Sequence, residues 1–285
     1  MLKLAYPAHS YEQTLDRCCI GITGNTLLLG KVNAERQVLE ESARVYEASA
    51  STGGLHTLTP TTCGTDEDPL VVGQLKKSEL IKLYGTYFVS QKKPGRIIYD
   101  SIMTAANEKC PFCGGVGRPR NLDHYLPKAH FPEFSVLPIN LIPSCRDCNM
   151  DGKGETFANS EDKQVLHPYL DNEKFFNEQW LFARYLPDDE GEPGVIEYFV
   201  QPPESWTYNQ KARVEQHFTD FDLDIRFSKE AGARLISLLG QIDSLASLQL
   251  PIEDIQTAIL QPVIDSAPFV NHWEKVMCEA LIRDL

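Results

Sequence analysis

Cys110-Pro-Phe-Cys113-Gly114 opens the stretch that decides how this chain is read, and Asn140-Leu-Ile-Pro-Ser-Cys145-Arg-Asp-Cys148-Asn149 closes it. Between them stands Leu122-Asp123-His124-Tyr125-Leu126-Pro127-Lys128, and Lys153 follows the last pair. The two C-x-x-C pairs are separated by 31 residues. Four thiolates at such a spacing can close a tetrahedral zinc site, with Zn–S bonds of about 2.3 Å. The Pro and Gly around the first pair suit the tight turn of a zinc knuckle. A closed four-cysteine site leaves no open coordination position. The zinc expected on Cys110, Cys113, Cys145 and Cys148 is therefore structural, pinning the ends of the intervening segment together.

A zinc ribbon that merely holds loops would need nothing more. Two further features point beyond one. Asp123-His124 lies between the pairs, on a segment (Asn121 to Tyr125) that reads as a strand, and Asn149 follows the last cysteine. Closing the zinc site brings these regions together. A carboxylate, an imidazole and an amide can then surround a hard divalent cation and a water, and such a cation also accepts phosphate oxygens. Arg118, Arg120 and Lys128 are candidate phosphate clamps, with an ordinary surface charge as the plainer alternative for each. Lys153 reads either as a phosphate contact or as a solvated lysine.

The segment 110–153 resembles the zinc-bearing HNH endonuclease family with its ββα-metal core. The resemblance implies that His124 is the general base and that Asn140 holds the loop and orients His124. It makes Asn149 and Asp123 ligands of a catalytic Mg²⁺ or Mn²⁺, apart from the cysteine-bound zinc. The chain departs from the simplest pattern in having Asn149 where a histidine is usual. Gly152 and Gly154 also flank Lys153, which predicts a short helix after the last cysteine. Outside the motif, Arg96-Ile-Ile-Tyr-Asp100, Phe131-Pro-Glu-Phe-Ser-Val136 and His167-Pro-Tyr169 are similar to the HNH subunit of Septu-type phage-defence systems. That likeness implies a partner of the SMC-like or AAA ATPase kind. His167 is taken as a surface or packing histidine, with support of the zinc-bearing core as the alternative.

The 285 residues carry a net charge of −13, unevenly spread. Residues 1–109 have 12 basic and 12 acidic side chains, residues 110–153 have 5 and 4, and residues 154–285 have 10 and 24. The C-terminal part should repel a phosphate backbone, so tight binding to nucleic acid by this chain alone is not expected. No run of 18 apolar residues and no leader-like start is present, which predicts a cytoplasmic chain with no membrane partner. In a reducing compartment the scattered Cys18, Cys19, Cys63 and Cys278 are expected to be buried free thiols.

The expected fold class is α+β, a mostly helical chain around a small ββα-metal core with a four-cysteine zinc site. Three regions are expected: a helical part over 1–93, the nuclease core over 94–170, and a β-hairpin with a helical end over 171–285. Helices are expected over 8–19, 30–49, 76–89 and 96–106, with Val32, Val38, Leu39 and Val45 as the apolar side of the second. Residues 55–75 read as a surface loop. Strands are expected at 180–186 and 194–201 around a turn at 187–193, and helices over 231–248, 252–264 and 268–285. The helical end carries no recognisable chemistry and reads as a scaffold or partner-binding surface. The expected function is metal-dependent phosphodiester hydrolysis in an anti-phage complex, on DNA in preference to RNA. The alternative is a zinc-stabilised adaptor that docks a partner protein.

Overall fold

Ser10 starts the first helix. Its Oγ accepts the Gln13 N–H at 3.2 Å, while Oε1 of Gln13 accepts the Ser10 N–H at 3.1 Å, so two otherwise orphaned donors are satisfied reciprocally. The cap sets α1 at Tyr11–Gly21, three residues later than the apolar pattern suggests. The computed structural model describes residues 1–62, 67–188 and 193–285. Cys63 lies outside the described residues, as do residues 189–192 of the expected turn.

The helix expected over 30–49 is two helices, α2 (Thr26–Ala34) and α3 (Arg36–Ser51). The buried stripe of α3 is Leu39, Ala43, Tyr46 and Ala50, spaced at four, three and four residues. Val38 and Val45 face solvent instead, because i to i+3 or i+4 steps from Leu39 pass them by. Within the expected loop 55–75, Leu70–Val72 (β1) and Leu75–Lys76 (β2) pair as a small hairpin. Next come α4 (Lys77–Lys82), a π-helical turn at Leu83–Phe88 and α5 (Arg96–Ala105).

The central element is an antiparallel ribbon of β3 (Asn121–His124) and β4 (Leu141–Ser144), with Asp123 opposite Ile142 and His124 opposite Leu141. Pro143 is tolerated because a two-stranded ribbon has two open edges. The carbonyl of Leu122, opposite Pro143, accepts from Tyr84 Oη at 3.1 Å. Helix α5 packs on this ribbon. After β4 the chain passes Cys145 and enters a π-helical turn at Asp147–Lys153, the short helix that the flanking glycines predict.

After a short helix, α6 (Lys174–Asn177), the second hairpin pairs β5 (Leu181–Leu186) with β6 (Val195–Val200), close to expectation. The C-terminal helices are α7 (Tyr208–Asp220), α8 (Leu223–Ala246), α9 (Ile252–Ile259), α10 (Gln261–Asp265) and α11 (Trp273–Asp284). The helix expected at 231 thus begins eight residues earlier, and the one expected over 252–264 breaks before Pro262. Helices α8 and α11 cover the second hairpin. None of the described helices is long and apolar enough to cross a membrane. The α+β class agrees with the sequence reading. Cys18 and Cys278 are buried free thiols as expected, whereas Cys19 is only half-buried.

Glu133 is an electrostatically costly point of the loop joining β3 to β4. Its Oε2 is buried without a hydrogen-bond partner among the described residues, and burial pushes its carboxyl up to about 7. A carboxyl raised in the folded state holds a proton that the unfolded chain has lost. Its contribution is therefore present below the unfolded value near 4.5 and disappears as pH rises through 7. Glu133→Gln should unfold at higher denaturant than the parent at pH 8, by roughly 1–2 kcal/mol. At pH 5 the two should match; equal stability at pH 8 would show that Glu133 is solvated.

Candidate metal centre and adjoining cleft

The two C-x-x-C pairs meet. One sulfur from each of Cys110, Cys113, Cys145 and Cys148 lies within 4.8 Å of the other three, and all four residues are buried. A tetrahedron with Zn–S bonds of about 2.3 Å needs sulfurs about 3.8 Å apart, so this cage can close on such an ion with small adjustments. The first pair sits on a knuckle stitched by Gly115 N–H to Cys110 O and Cys110 N–H to Gly117 O, both at 2.9 Å. Gly114 and Gly115 hold positive φ there, which side-chain-bearing residues rarely adopt. Gly117 must also be glycine: a Cβ would stand 2.5 Å from Cys145 Sγ. Four soft, buried, free thiols are a donor set for a metal ion such as zinc.

A cleft of about 290 Å³ adjoins this centre, lined among others by Asp123, His124, Lys128, Asn149 and Gly154. Asp123 and His124 are the last two residues of β3, where the chain leaves the ladder. Oδ2 of Asp123 is buried and accepts no hydrogen bond among the described residues. Its carboxyl is pushed up to about 6, chiefly by burial, against the opposing charge of Lys153. Lys153 Nζ stands 3.8 Å from that oxygen and donates to the carbonyl of His124 at 2.7 Å. Lys153 is therefore not a solvated lysine: it is 6% exposed and lies behind Asp123. It is buried because Gly152 lets its helical turn press on the neighbouring chain; a Cβ there would lie 2.8 Å from Asp220 O.

His124 Nε2 lies 2.9 Å from the carbonyl of Ser135. A carbonyl only accepts, so Nε2 carries the proton and Nδ1 is left with its lone pair. Burial, reinforced by Lys128, holds the imidazole down at about 3, so it is neutral. The ring of Tyr84 packs edge-on against it at 4.4 Å. Asn149 donates through Nδ2 to Asn121 Oδ1 at 2.9 Å, which leaves its own Oδ1 as the atom available to a cation.

Asn140 lies elsewhere. It is fully buried and does not line the cleft. Its Oδ1 accepts from Leu126 N–H at 2.7 Å and Tyr46 Oη at 2.9 Å, and its Nδ2 donates to the carbonyls of Leu126 at 3.1 Å and Phe134 at 3.2 Å. Every hydrogen-bonding position of the amide is used. The loop from Tyr125 to Ile139 is closed at its neck, and the carbonyl of Ser135, next to Phe134, is thereby set for His124. Asn140 thus ties the loop together from outside the cleft.

Tyr46 also meets His167 Nε2 at 3.2 Å. His167 is wholly buried, so of the surface and packing readings only packing agrees with the structure. Its own N–H bonds to Asp171, which in turn pairs with Arg213 at 2.6 Å. A polar chain thus runs from α7 to the loop that closes over His124.

Arg118 and Arg120 are exposed and line no part of the cleft; Lys128 does, with Nζ 5.6 Å from the ring centre of Tyr84. The sequence motif does not single out Asn121, Tyr46 or Tyr84. For Tyr46 a signal exists: it lies on the Leu39–Ala43–Ala50 stripe of α3, and a buried phenol needs a partner.

No family model matches the chain, and no solved structure matches it. It is 39% identical over 298 residues to protein ea31 of Escherichia phage lambda, an alignment that takes in 99% of this chain and 97% of that protein. With such identity over nearly the whole of both chains, this protein belongs to the family of the phage lambda protein ea31.

Proposed function

We propose that the chain is a metal-dependent endonuclease of the HNH kind, with structural zinc on the four cysteines and phosphodiester hydrolysis in the adjoining cleft. One observation carries the reading: Asp123, whose buried Oδ2 accepts no hydrogen bond among the described residues and has only Lys153 at 3.8 Å, lines the same cleft as an imidazole whose Nδ1 is unprotonated. A buried carboxylate that has only a lysine 3.8 Å away is incompletely offset, and a cation would complete the compensation. Asp123 and Asn149 would hold a divalent ion, which, when bound, would stabilise the charge that builds on the phosphate and the leaving oxygen.

The chain's own groups supply the rest. His124 Nδ1 accepts the proton of the attacking water, and the Ser135 carbonyl keeps the imidazole in the tautomer that allows it. Lys128, at the cleft, gives the phosphate a positive neighbour. Lys153 offsets part of the Asp123 charge, which leaves a weak cation site on the protein alone and favours completion by phosphate oxygens. Since residues 154–285 are strongly acidic, substrate affinity would come from a partner. An SMC-like or AAA ATPase is the expectation carried over from the resemblance, and the setting of a defence complex rests on that resemblance alone.

The test is a side-by-side assay of plasmid, single-stranded DNA and tRNA with Mg²⁺ or Mn²⁺, with and without the protein encoded by the neighbouring gene. Divalent-dependent cleavage, with DNA cut faster than RNA, is expected. A protein that carries zinc yet cuts none of them under any of these conditions is the adaptor instead.

A further inference from the structure

The acidic helical end carries no motif of its own, yet its first corner touches the cysteine cluster. Arg226 lies in the first turn of α8. Its Nη1 is 3.1 Å from Cys148 Sγ, and its Nη2 is 3.6 Å from Cys145 Sγ and 3.5 Å from Asp147 Oδ2. The same corner grips the other knuckle. His217 Nε2 donates to the Phe112 carbonyl at 2.8 Å, and Phe221 stacks on the Phe112 ring at 4.8 Å. Arg226 also bonds the Phe221 carbonyl at 3.2 Å, so the corner is held as one piece.

Charge explains what the arginine is for. Four thiolates around a divalent ion leave a buried centre with two surplus negative charges, which is costly in a low-dielectric interior. Cys113 Sγ accepts a neutral donor, Gly117 N–H at 3.2 Å, and Cys110 Sγ lies 3.9 Å from Ser144 Oγ. The second pair faces the Arg226 guanidinium, while Cys110 and Cys113 have only the buried Met1 amino group nearby, which burial pushes down to about 5. A guanidinium fork fits two neighbouring sulfurs as an ammonium cannot.

We propose that Arg226 is the counter-ion of a zinc tetrathiolate, and that through it the corner between α7 and α8 is docked on the core by the bound metal. The inference rests on the zinc reading above. Without the ion there is no dianionic centre for the guanidinium to face, and the corner is held by Asp147, His217 and Phe221.

The test uses the full-length protein purified with zinc. Zinc content is measured first. The rate of zinc transfer to a chromogenic chelator is then compared for the parent, Arg226→Met and Arg226→Lys, along with hydrogen exchange over 221–230. Outer-sphere partners of a metal ligand typically change affinity by about ten- to a hundredfold. Arg226→Met should release zinc faster by that factor and expose the first turns of α8, with Arg226→Lys in between. Arg234→Met, a change in the same helix that touches Glu274 rather than the cysteines, should leave the transfer rate unchanged. Equal rates for parent and Arg226→Met in a zinc-replete protein overturn this inference and leave the metal site standing, as does equal acceleration by Arg234→Met. A parent that holds no zinc overturns both. Should Arg226→Met fail to fold, Arg226→Lys alone decides.

Discussion

His124→Ala should remove divalent-dependent cleavage while the protein keeps its zinc and its fold. A positioned general base contributes about 10²- to 10⁴-fold, and no second imidazole among the described residues lines the cleft to replace this one. The side chain is also buried, so some stability goes with it. The lost bond to Ser135 O and the lost contact with Tyr84 together cost roughly 1–2 kcal/mol. For a chain of this size that lowers Tm by about 2–8 °C. Zinc content should stay at the parental value, because His124 touches none of the four sulfurs among the described contacts. Two results would sink the assignment. Cleavage within about tenfold of the parent would mean that another group takes the proton. Loss of zinc along with activity would mean that the cleft and the cysteine cage are one site rather than two.

That division is largely legible in the sequence itself. Metal-ligand spacing is a local pattern, and Cys110, Cys113, Cys145 and Cys148 do come together as their spacing implies. Asp123 and His124 share a cleft with Asn149, because two of them end one strand and the third follows a cysteine that the cage fixes in place. Contact across long stretches of chain is not legible in the same way. Tyr46 reaches Asn140 over 94 positions, and Arg226 reaches Cys148 over 78. Neither pairing leaves a local periodicity. Lys153 defeats a local reading for a different reason. A lysine between two glycines looks like a solvated turn, and only the press of Gly152 against Asp220 and Phe221 shows that the turn is packed. The break in the helix expected over 30–49 follows from Glu35, where one helix ends and the next begins; composition does not mark it.

Cys113→Ser should act in the opposite sense to His124→Ala, unfolding the core before any question of catalysis arises. Apparent binding energies for structural zinc are about 10–16 kcal/mol in small domains, against total stabilities of about 5–15 kcal/mol for ordinary folds. A serine oxygen is a harder, weaker donor at neutral pH, and it would sit at a fully buried position beside three thiols. Much of the cage's contribution is then lost. The knuckle it holds supports Phe112, which packs against His217 and Phe221 of the C-terminal helices, so the damage should spread past residue 153. Loss of even about 3–5 kcal/mol would lower Tm by about 6–20 °C. Stripping the parent with a strong chelator should reproduce the shift, and adding zinc back should reverse it in the parent but not in Cys113→Ser. If the chelated parent melts where the loaded one does, the four cysteines are a packed thiol cluster rather than a metal centre. The cleft would then be held by the packing of α5 on the ribbon and by hydrogen bonds, of which Asn140 provides four, each worth only about 1 kcal/mol net.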